Sequence, residues 1–314
     1  MLNTPICEML GIKYPVFQGG MAHISDAELA AAVSNGGGLG IITAASGNID
    51  YISKQIDKCR TLTDKPFGVN VMLRGQNIEA IAALLAEKKV AVVTTGAGNP
   101  DKYIKQWKKA GIKVIPVVAS SSLAKLAARA GADAVIAEGG ESGGHVGDLT
   151  TMALVPQVCD AVDIPVIAAG GIADGRGLAA AFMLGAQGIQ VGTRFLSAVE
   201  CNISRIYKEK VLKANDTSTI VTGKRLGHPV RSLKSPFSRA YAKAEYTQIS
   251  DDDLEQMAVG SLRAAVCDGD EKKGCFLAGQ ISGLVNKEQT SAQIIEEICT
   301  QGENILKGAE KWVR

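Results

Sequence analysis

Short runs of consecutive apolar, often β-branched residues recur along the first two-thirds of the chain. They fall at Tyr14–Gln18, Leu39–Ile42, Phe67–Val71, Val90–Thr95, Lys113–Val118, Asp133–Ala137, Pro165–Ala169 and Gly188–Val191. Continuous rather than alternating hydrophobicity is what a strand buried on both faces of a parallel sheet requires. Between these runs lie stretches with helical spacing: Asp26–Ser34, Asp50–Cys59, Ile78–Glu87, Lys102–Lys109, Ser121–Arg129, Met152–Ala161 and Gly177–Leu184. One strand–helix unit per roughly 25 residues, repeated eight times, is the arithmetic of an α/β protein built as a (β/α)8 TIM barrel. An open doubly wound sheet is the rival. It more often carries a G-x-G-x-x-G turn after its first strand, and none follows Tyr14–Gln18.

The texture changes after Thr193. Residues 200–260 are more charged, poor in β-runs, and broken by Gly223, Gly227, Pro229 and Pro236. Helical periodicity resumes at Ser291–Lys307, with Ile294, Ile295, Ile298 and Ile305 spaced for one face. The chain therefore divides into a barrel over 1–198 and a smaller, mainly helical cap over 199–299. A C-terminal helix, from about 300 to 314, returns to the barrel as its eighth.

Composition narrows the class. The 314 residues include 35 Gly but only 6 Phe, 6 Tyr and 2 Trp, and the Gly residues cluster between apolar runs rather than forming a linker. Lys and Arg number 34 against 32 acidic residues, a formal charge of +2, so nothing points to a nucleic-acid partner. Seven scattered cysteines without a C-x-x-C pair read as reduced thiols, with neither a disulfide framework nor a metal site. No secretory leader and no apolar run of the ~20 residues that span a bilayer are evident. The expectation is a soluble, cytoplasmic protein without a membrane partner.

Barrel active sites lie at the C-terminal ends of the strands. Here those ends carry Gln18-Gly19-Gly20-Met21, Asn70, Thr94-Thr95-Gly96-Ala97-Gly98-Asn99, Glu138 through His145, Ala169-Gly170-Gly171-Ile172 and Gln190-Val191-Gly192-Thr193. Most of the glycine clusters thus fall on one face. Gly170-Gly171 and Gly192-Thr193 follow the last two strands, where backbone N–H groups commonly hold a phosphate. The plainer reading is that these are tight turns needing a positive φ. His145, one of three histidines, is a candidate acid, hydrogen-bond donor or electrostatic stabiliser, or else a satisfied loop residue. His23 and His228 read as structural. Glu138 and Glu141 could form an acid/base pair; a hydrogen-bonding role toward a cofactor, or plain surface exposure for Glu141, is the other reading. No G-x-S-x-G, H-E-x-x-H or G-x-x-x-x-G-K-[ST] motif occurs. The Tyr51/Lys58 spacing is read as coincidence and Cys201 as a spare thiol.

The ordered motifs resemble a known family. Pro15 through Met21, Gly36-Gly37-Gly38-Leu39-Gly40-Ile41, Lys65 through Asn70 and Thr94 through Pro100 are similar to the nitronate monooxygenase/2-nitropropane dioxygenase superfamily of FMN-dependent TIM barrels. Ala137-Glu138-Gly139, Gly143 through Gly147, Pro165 through Ile172, Val191 through Phe195, Gly227 through Arg231 and Ala278-Gly279-Gln280 resemble its enoyl-acyl-carrier-protein reductase II branch. The resemblance covers nearly the whole chain.

It implies that Gly20, Met21, Ala22, Asn70, Glu138 and Gln190 contact FMN, that Gly170, Gly171, Gly192 and Thr193 hold its phosphate, and that His145 is tied to catalysis. It also implies NADH or NADPH as cosubstrate, an enoyl-acyl-carrier-protein substrate in the last step of fatty acid elongation, and a homodimer. The alternative within the superfamily is a nitronate monooxygenase using FMN and O2 without NAD(P)H; a non-enzymatic flavin- or phosphate-binding barrel is a third reading. The chain departs from the branch pattern at His23, at Ala44-Ala45-Ser46-Gly47-Asn48 and at Arg74-Gly75-Gln76. These positions lie near the expected mouth, where they bear on substrate preference.

Overall fold

The computed structural model describes residues 2–312. Eight parallel strands form the barrel: β1 (Val16–Gln18), β2 (Gly40–Thr43), β3 (Phe67–Met72), β4 (Val92–Gly96), β5 (Lys113–Val118), β6 (Val135–Glu138), β8 (Val166–Ala169) and β9 (Gly188–Val191). Between β6 and β8 lies a two-residue strand outside the barrel, β7 (Gly144–His145). The hydrogen-bonded order is β1-β9-β8-β6-β5-β4-β3-β2. The ring closes where Phe17 bridges Leu39, the Gln18 N–H donates to the Leu39 carbonyl at 3.0 Å, and the Leu39 N–H donates to the Val16 carbonyl at 2.9 Å. Every strand expected from the apolar runs is present, with ends shifted by no more than two residues.

Seven helices follow the strands in turn: α2 (Ala27–Asn35), α3 (Ile49–Leu62), α4 (Ile78–Lys88), α5 (Asp101–Lys109), α6 (Ser121–Ala130), α7 (Thr151–Cys159) and α8 (Gly175–Met183). A first helix, α1 (Pro5–Leu10), precedes them. It was not anticipated from periodicity, being too short to show any. Its Ile6, Cys7 and Leu10, with Ile12, join Phe17, Leu39, Ile41, Val92, Ile115, Ile136 and Ile167 in one buried cluster inside the barrel. Alternate residues of the same strands, such as Val69, Val71 and Val93, pack outward against the helices. Truncating a fully buried residue of either layer, such as Ile136 to Ala, costs about 2–5 kcal/mol.

This alternation decides what faces the mouth. Two residues beyond the inward Val92 and Ile136 come Thr94 and Glu138. The interior therefore turns from apolar to polar toward the C-terminal ends of the strands.

The cap contains α9 (Arg205–Leu212), α10 (Pro236–Ala244), α11 (Asp251–Ala258) and α12 (Ser261–Arg263), as well as an antiparallel hairpin, β10 (Thr219–Thr222) with β11 (Val230–Leu233). The hairpin was not foreseen in a segment read as helical. It makes a three-stranded sheet with β7, in the order β10-β11-β7. The last helix, α13 (Ser291–Lys307), opens with a Thr290/Gln293 capping box and packs on α8 and α2. It begins ahead of the boundary near 300 set by sequence. Of the stretch 300–314 assigned to it, residues 313 and 314 lie outside the described residues, as does residue 1 of the barrel segment. Among the described residues no helix is long and apolar enough to cross a membrane.

Candidate active site

The loop after β1 is set by residues that sequence reasoning passed over. Gln18 is fully buried; its Oε1 accepts the Ile41 N–H at 3.0 Å and its Nε2 donates to Ser25 Oγ at 2.7 Å. Ser25 Oγ also accepts the Met21 N–H at 2.8 Å. Gln18 thus ties the barrel seam to the loop carrying Gly19, Gly20, Met21 and Ala22. A buried glutamine at a strand end was the available signal, since such a group needs partners.

The loop then meets the inward residues of its neighbours. A Cβ on Gly20 would lie 2.3 Å from the Asn70 Cβ, so the two chains approach as only glycine permits. Asn70 Oδ1 accepts the Thr94 hydroxyl at 3.0 Å. Gly19 lies against the Gln190 side chain and Gly192 against the Met21 sulfur. The structure therefore gathers Gly20, Met21, Asn70, Gln190 and Gly192 around one mouth, with Ala22 in the turn that leaves it.

Gly170 and Gly171 have φ of 86° and 71°. The left-handed turn foreseen as the plainer reading is real, and it leaves two successive side-chain-free residues at the end of β8. Gly192 precedes a short 3-10 segment, Thr193–Ser197, and the Thr193 hydroxyl accepts the Gly279 N–H at 2.9 Å. Thr193 is thereby joined to the cap.

The loop after β6 is the most heavily braced. The Glu141 carboxylate accepts the Thr151 N–H at 2.9 and 3.0 Å and its hydroxyl at 3.0 Å, which caps the start of α7. Glu141 is thus engaged at the start of α7 and half-buried rather than simply exposed. Gly143 passes so close to Ala278 that a Cβ would lie 2.6 Å from the Ala278 carbonyl carbon. The Gln280 N–H donates to the Glu141 carbonyl at 2.9 Å. Arg231 of β11 donates from Nη2 and Nε to the Gly140 carbonyl at 2.9 and 3.2 Å.

This bracing fixes His145. In β7 it pairs with Val230 of β11, while Gly144 pairs with Arg231, and the Val146 N–H donates to the Pro229 carbonyl at 3.0 Å. His145 is solvent-exposed, on a strand that the barrel and the cap build together. Partial desolvation, with the neighbouring His228 and Arg74, holds its imidazole below the ordinary histidine value. His228 is therefore near enough to His145 for its charge to be felt there. Burial raises the Glu138 carboxyl above the usual carboxylate range, with the Ser142 hydroxyl acting the other way.

Other candidates separate from the mouth. Cys201 is buried, and desolvation pushes its thiol up to about 12, an unreactive state. Lys58 pairs with Glu28 beside α3, so the Tyr51/Lys58 spacing has no site behind it.

The fold defines a TIM-barrel enzyme whose mouth gathers glycine backbone and the amide side chains of Asn70 and Gln190, with His145 on the strand that joins barrel and cap. The chain belongs to the nitronate monooxygenase family, whose model matches residues 3–83 and 74–301. Members of that family are oxidoreductases, and so is this protein. It is 49% identical to FabK from Thermotoga maritima, with a TM-score of 0.97 and the whole of both chains covered. It is 34% identical to (3aS,4S,5R,7aS)-5-hydroxy-7a-methyl-1-oxo-octahydro-1H-indene-4-carboxyl-CoA dehydrogenase of Mycobacterium tuberculosis strain H37Rv, over 99% of each chain. It is 33% identical to a probable nitronate monooxygenase of Staphylococcus saprophyticus, over 97% of this chain and 99% of the other.

Proposed function

We propose that the chain is an FMN-dependent enoyl-acyl-carrier-protein reductase. It would reduce the trans-2 double bond of enoyl thioesters with NADH or NADPH, the last step of fatty acid elongation. The observation that carries the reading is the full-length likeness to FabK, an enoyl-acyl-carrier-protein reductase II, which extends through the cap that holds His145.

The residues at the mouth fit an FMN. Gly170 and Gly171, in left-handed turns, and Gly192 carry no side chains of their own over their backbone N–H groups, which suits a phosphate, and the Glu141 carboxylate lies against Gly171 as an anionic neighbour such a group would meet. The amide nitrogen of Asn70 and the amide of Gln190 have no hydrogen-bond partner among the described residues, so both remain open to the polar edge of a ring system. Glu138, whose charged form burial disfavours, sits opposite Ala169 in the ladder, one residue before Gly170. When bound, FMN supplies the hydride relay between the nicotinamide and the enoyl thioester.

The chain's own residues do the rest. Its lowered pKa leaves the His145 imidazole neutral near pH 7, with one N–H to donate to a thioester oxygen as negative charge develops there. The β7–β11 pairing holds the ring so that this bond needs little reorganisation.

A nitronate monooxygenase is the second reading, favoured by the family match and by the same neutral imidazole, which can also accept a proton. Anaerobic titration separates the two. NADH or NADPH should bleach the flavin-loaded protein, and crotonyl thioester should restore the colour. If the flavin is left oxidised by both nucleotides and only a nitronate with O2 turns over, the reductase reading is wrong.

A further inference from the structure

The cap hairpin has two ends. At one, Val230 of β11 pairs with His145. At the other, β11 runs out into Lys234, whose N–H donates to the Ser218 carbonyl at 2.8 Å. At about 3.3 Å of rise per residue, Lys234 lies about 13 Å along the strand from Val230. A cleft of about 480 Å³ opens there, lined by Lys210, Lys213, Lys234 and Arg239 together with Asn215 and Thr217.

The four cations are not equally committed. Lys210 lies 2.7 Å from Glu271 and Lys213 3.3 Å from Glu209, with Asp216 on the adjoining turn. Lys234 and Arg239 are exposed, and neither side chain has an anionic partner among the described residues. Two unmatched cations on the rim of a cationic cleft fit an acidic protein surface better than a small neutral ligand.

We infer that this cleft and its rim dock the acidic carrier protein that presents the enoyl thioester. The inference rests on the enoyl reductase reading and deepens it by locating the partner. A carrier too large to enter the mouth must stop outside while its arm spans the remaining distance. The hairpin ends beside the charged cleft at Lys234 and pairs with His145 at Val230, so the landing site and the histidine are held by one strand. Charge complementarity of this kind acts mainly on encounter rate and orientation.

The test uses the flavin-loaded protein and the double variant Lys234→Glu/Arg239→Glu, whose changes lie on exposed side chains away from the mouth. Two substrates are compared: crotonyl thioester on acyl carrier protein, and the uncharged crotonyl-N-acetylcysteamine. Carrier binding is measured in parallel by fluorescence anisotropy. The variant should lose roughly tenfold or more in kcat/KM for the carrier-borne substrate, and with it the salt dependence of that value. Its kcat/KM for the small thioester should stay at the wild-type value, and its carrier Kd should rise by a similar factor. Equal losses on both substrates, or no loss on either, would overturn the docking assignment while leaving the reductase reading intact. If the wild type reduces neither thioester yet binds the carrier through these two residues, the reductase reading fails and the docking surface stands.

Discussion

Substituting Gly20 with Ala tests the packing logic of the mouth. The new Cβ would sit 2.3 Å from the Asn70 Cβ and 2.6 Å from its Cγ, against about 3.4 Å for ordinary contact. Both Cβ atoms are fixed to their backbones, so no rotamer change relieves the overlap, and the loop after β1 must draw back from β3 by about 1 Å. Overpacking of this kind costs about 1–3 kcal/mol. Pulling Asn70 off the Thr94 hydroxyl adds about 1 kcal/mol. A total near 3 kcal/mol lowers the melting midpoint by roughly 4–5 °C in a chain of this size. Calorimetry on the flavin-free protein should be run in two backgrounds. On Asn70→Ala, which keeps its Cβ, Gly20→Ala should still carry the clash cost. On Asn70→Gly it should cost almost nothing, because the atom it strikes is gone. An equal cost in both backgrounds, or a wild-type midpoint for Gly20→Ala alone, would refute the close-approach argument.

Other outcomes follow from the same geometry. His145→Ala should lower turnover of an enoyl thioester by roughly a hundredfold or more while FMN stays bound; turnover within a few-fold of wild type would rule out the role given to it. Because the His145 pKa is lowered and the neutral ring is the working form, kcat/KM should be flat near pH 7 and fall as pH drops through a value below the usual histidine range. Arg74→Ala, which removes a neighbouring charge, should move that limb to higher pH in the pH–rate profile. Ionisation of Glu138 is penalised in the fold, so the penalty is absent at low pH and grows as pH rises above the ordinary glutamate value. Glu138→Gln should therefore raise the melting midpoint of the flavin-free protein at pH 7, with the gain vanishing in acid, while weakening FMN retention. Arg231→Ala removes both bonds to the Gly140 carbonyl and should cost about 1–3 kcal/mol in kcat/KM with the barrel still folded; Arg231→Lys should recover part of it.

The barrel was legible because its strands are buried on both faces. Such strands must be continuously apolar, and Val166–Ala169, with all four residues buried, leaves little room for another reading. The glycine clusters were legible for a related reason, since side-chain-free turns at strand ends are visible without knowing what they meet. The contacts behind them were not. Nothing local to Gly20 announces Asn70, fifty positions on, and nothing in Glu141 announces that the Thr151 N–H will claim it. The hairpin β10–β11 was missed because Thr219–Thr222 is short and mostly half-buried. Its connection, with Gly223, Gly227 and Pro229, is also too long for a two-residue turn signature. Those residues read as breaks in a helical cap, whereas they form the tip that brings His228 near His145.

His145 is where local sequence falls furthest short, and the reason bears on how the site works. A two-residue strand has no stability of its own, so β7 exists only where β11 and the Arg231 bonds to Gly140 hold it. A second tie runs from the barrel to the cap through Thr193 and Gly279, and a third from Glu141 to Gln280. The histidine is thus positioned by contacts that form only when cap and barrel meet. Loss of the hairpin pairing should release His145 while leaving Gly170, Gly171 and Gly192 in place, since those directly follow β8 and β9 of the barrel. Cofactor retention and thioester turnover should therefore be separable: variants that loosen β11 should reduce turnover in a protein that still holds its flavin.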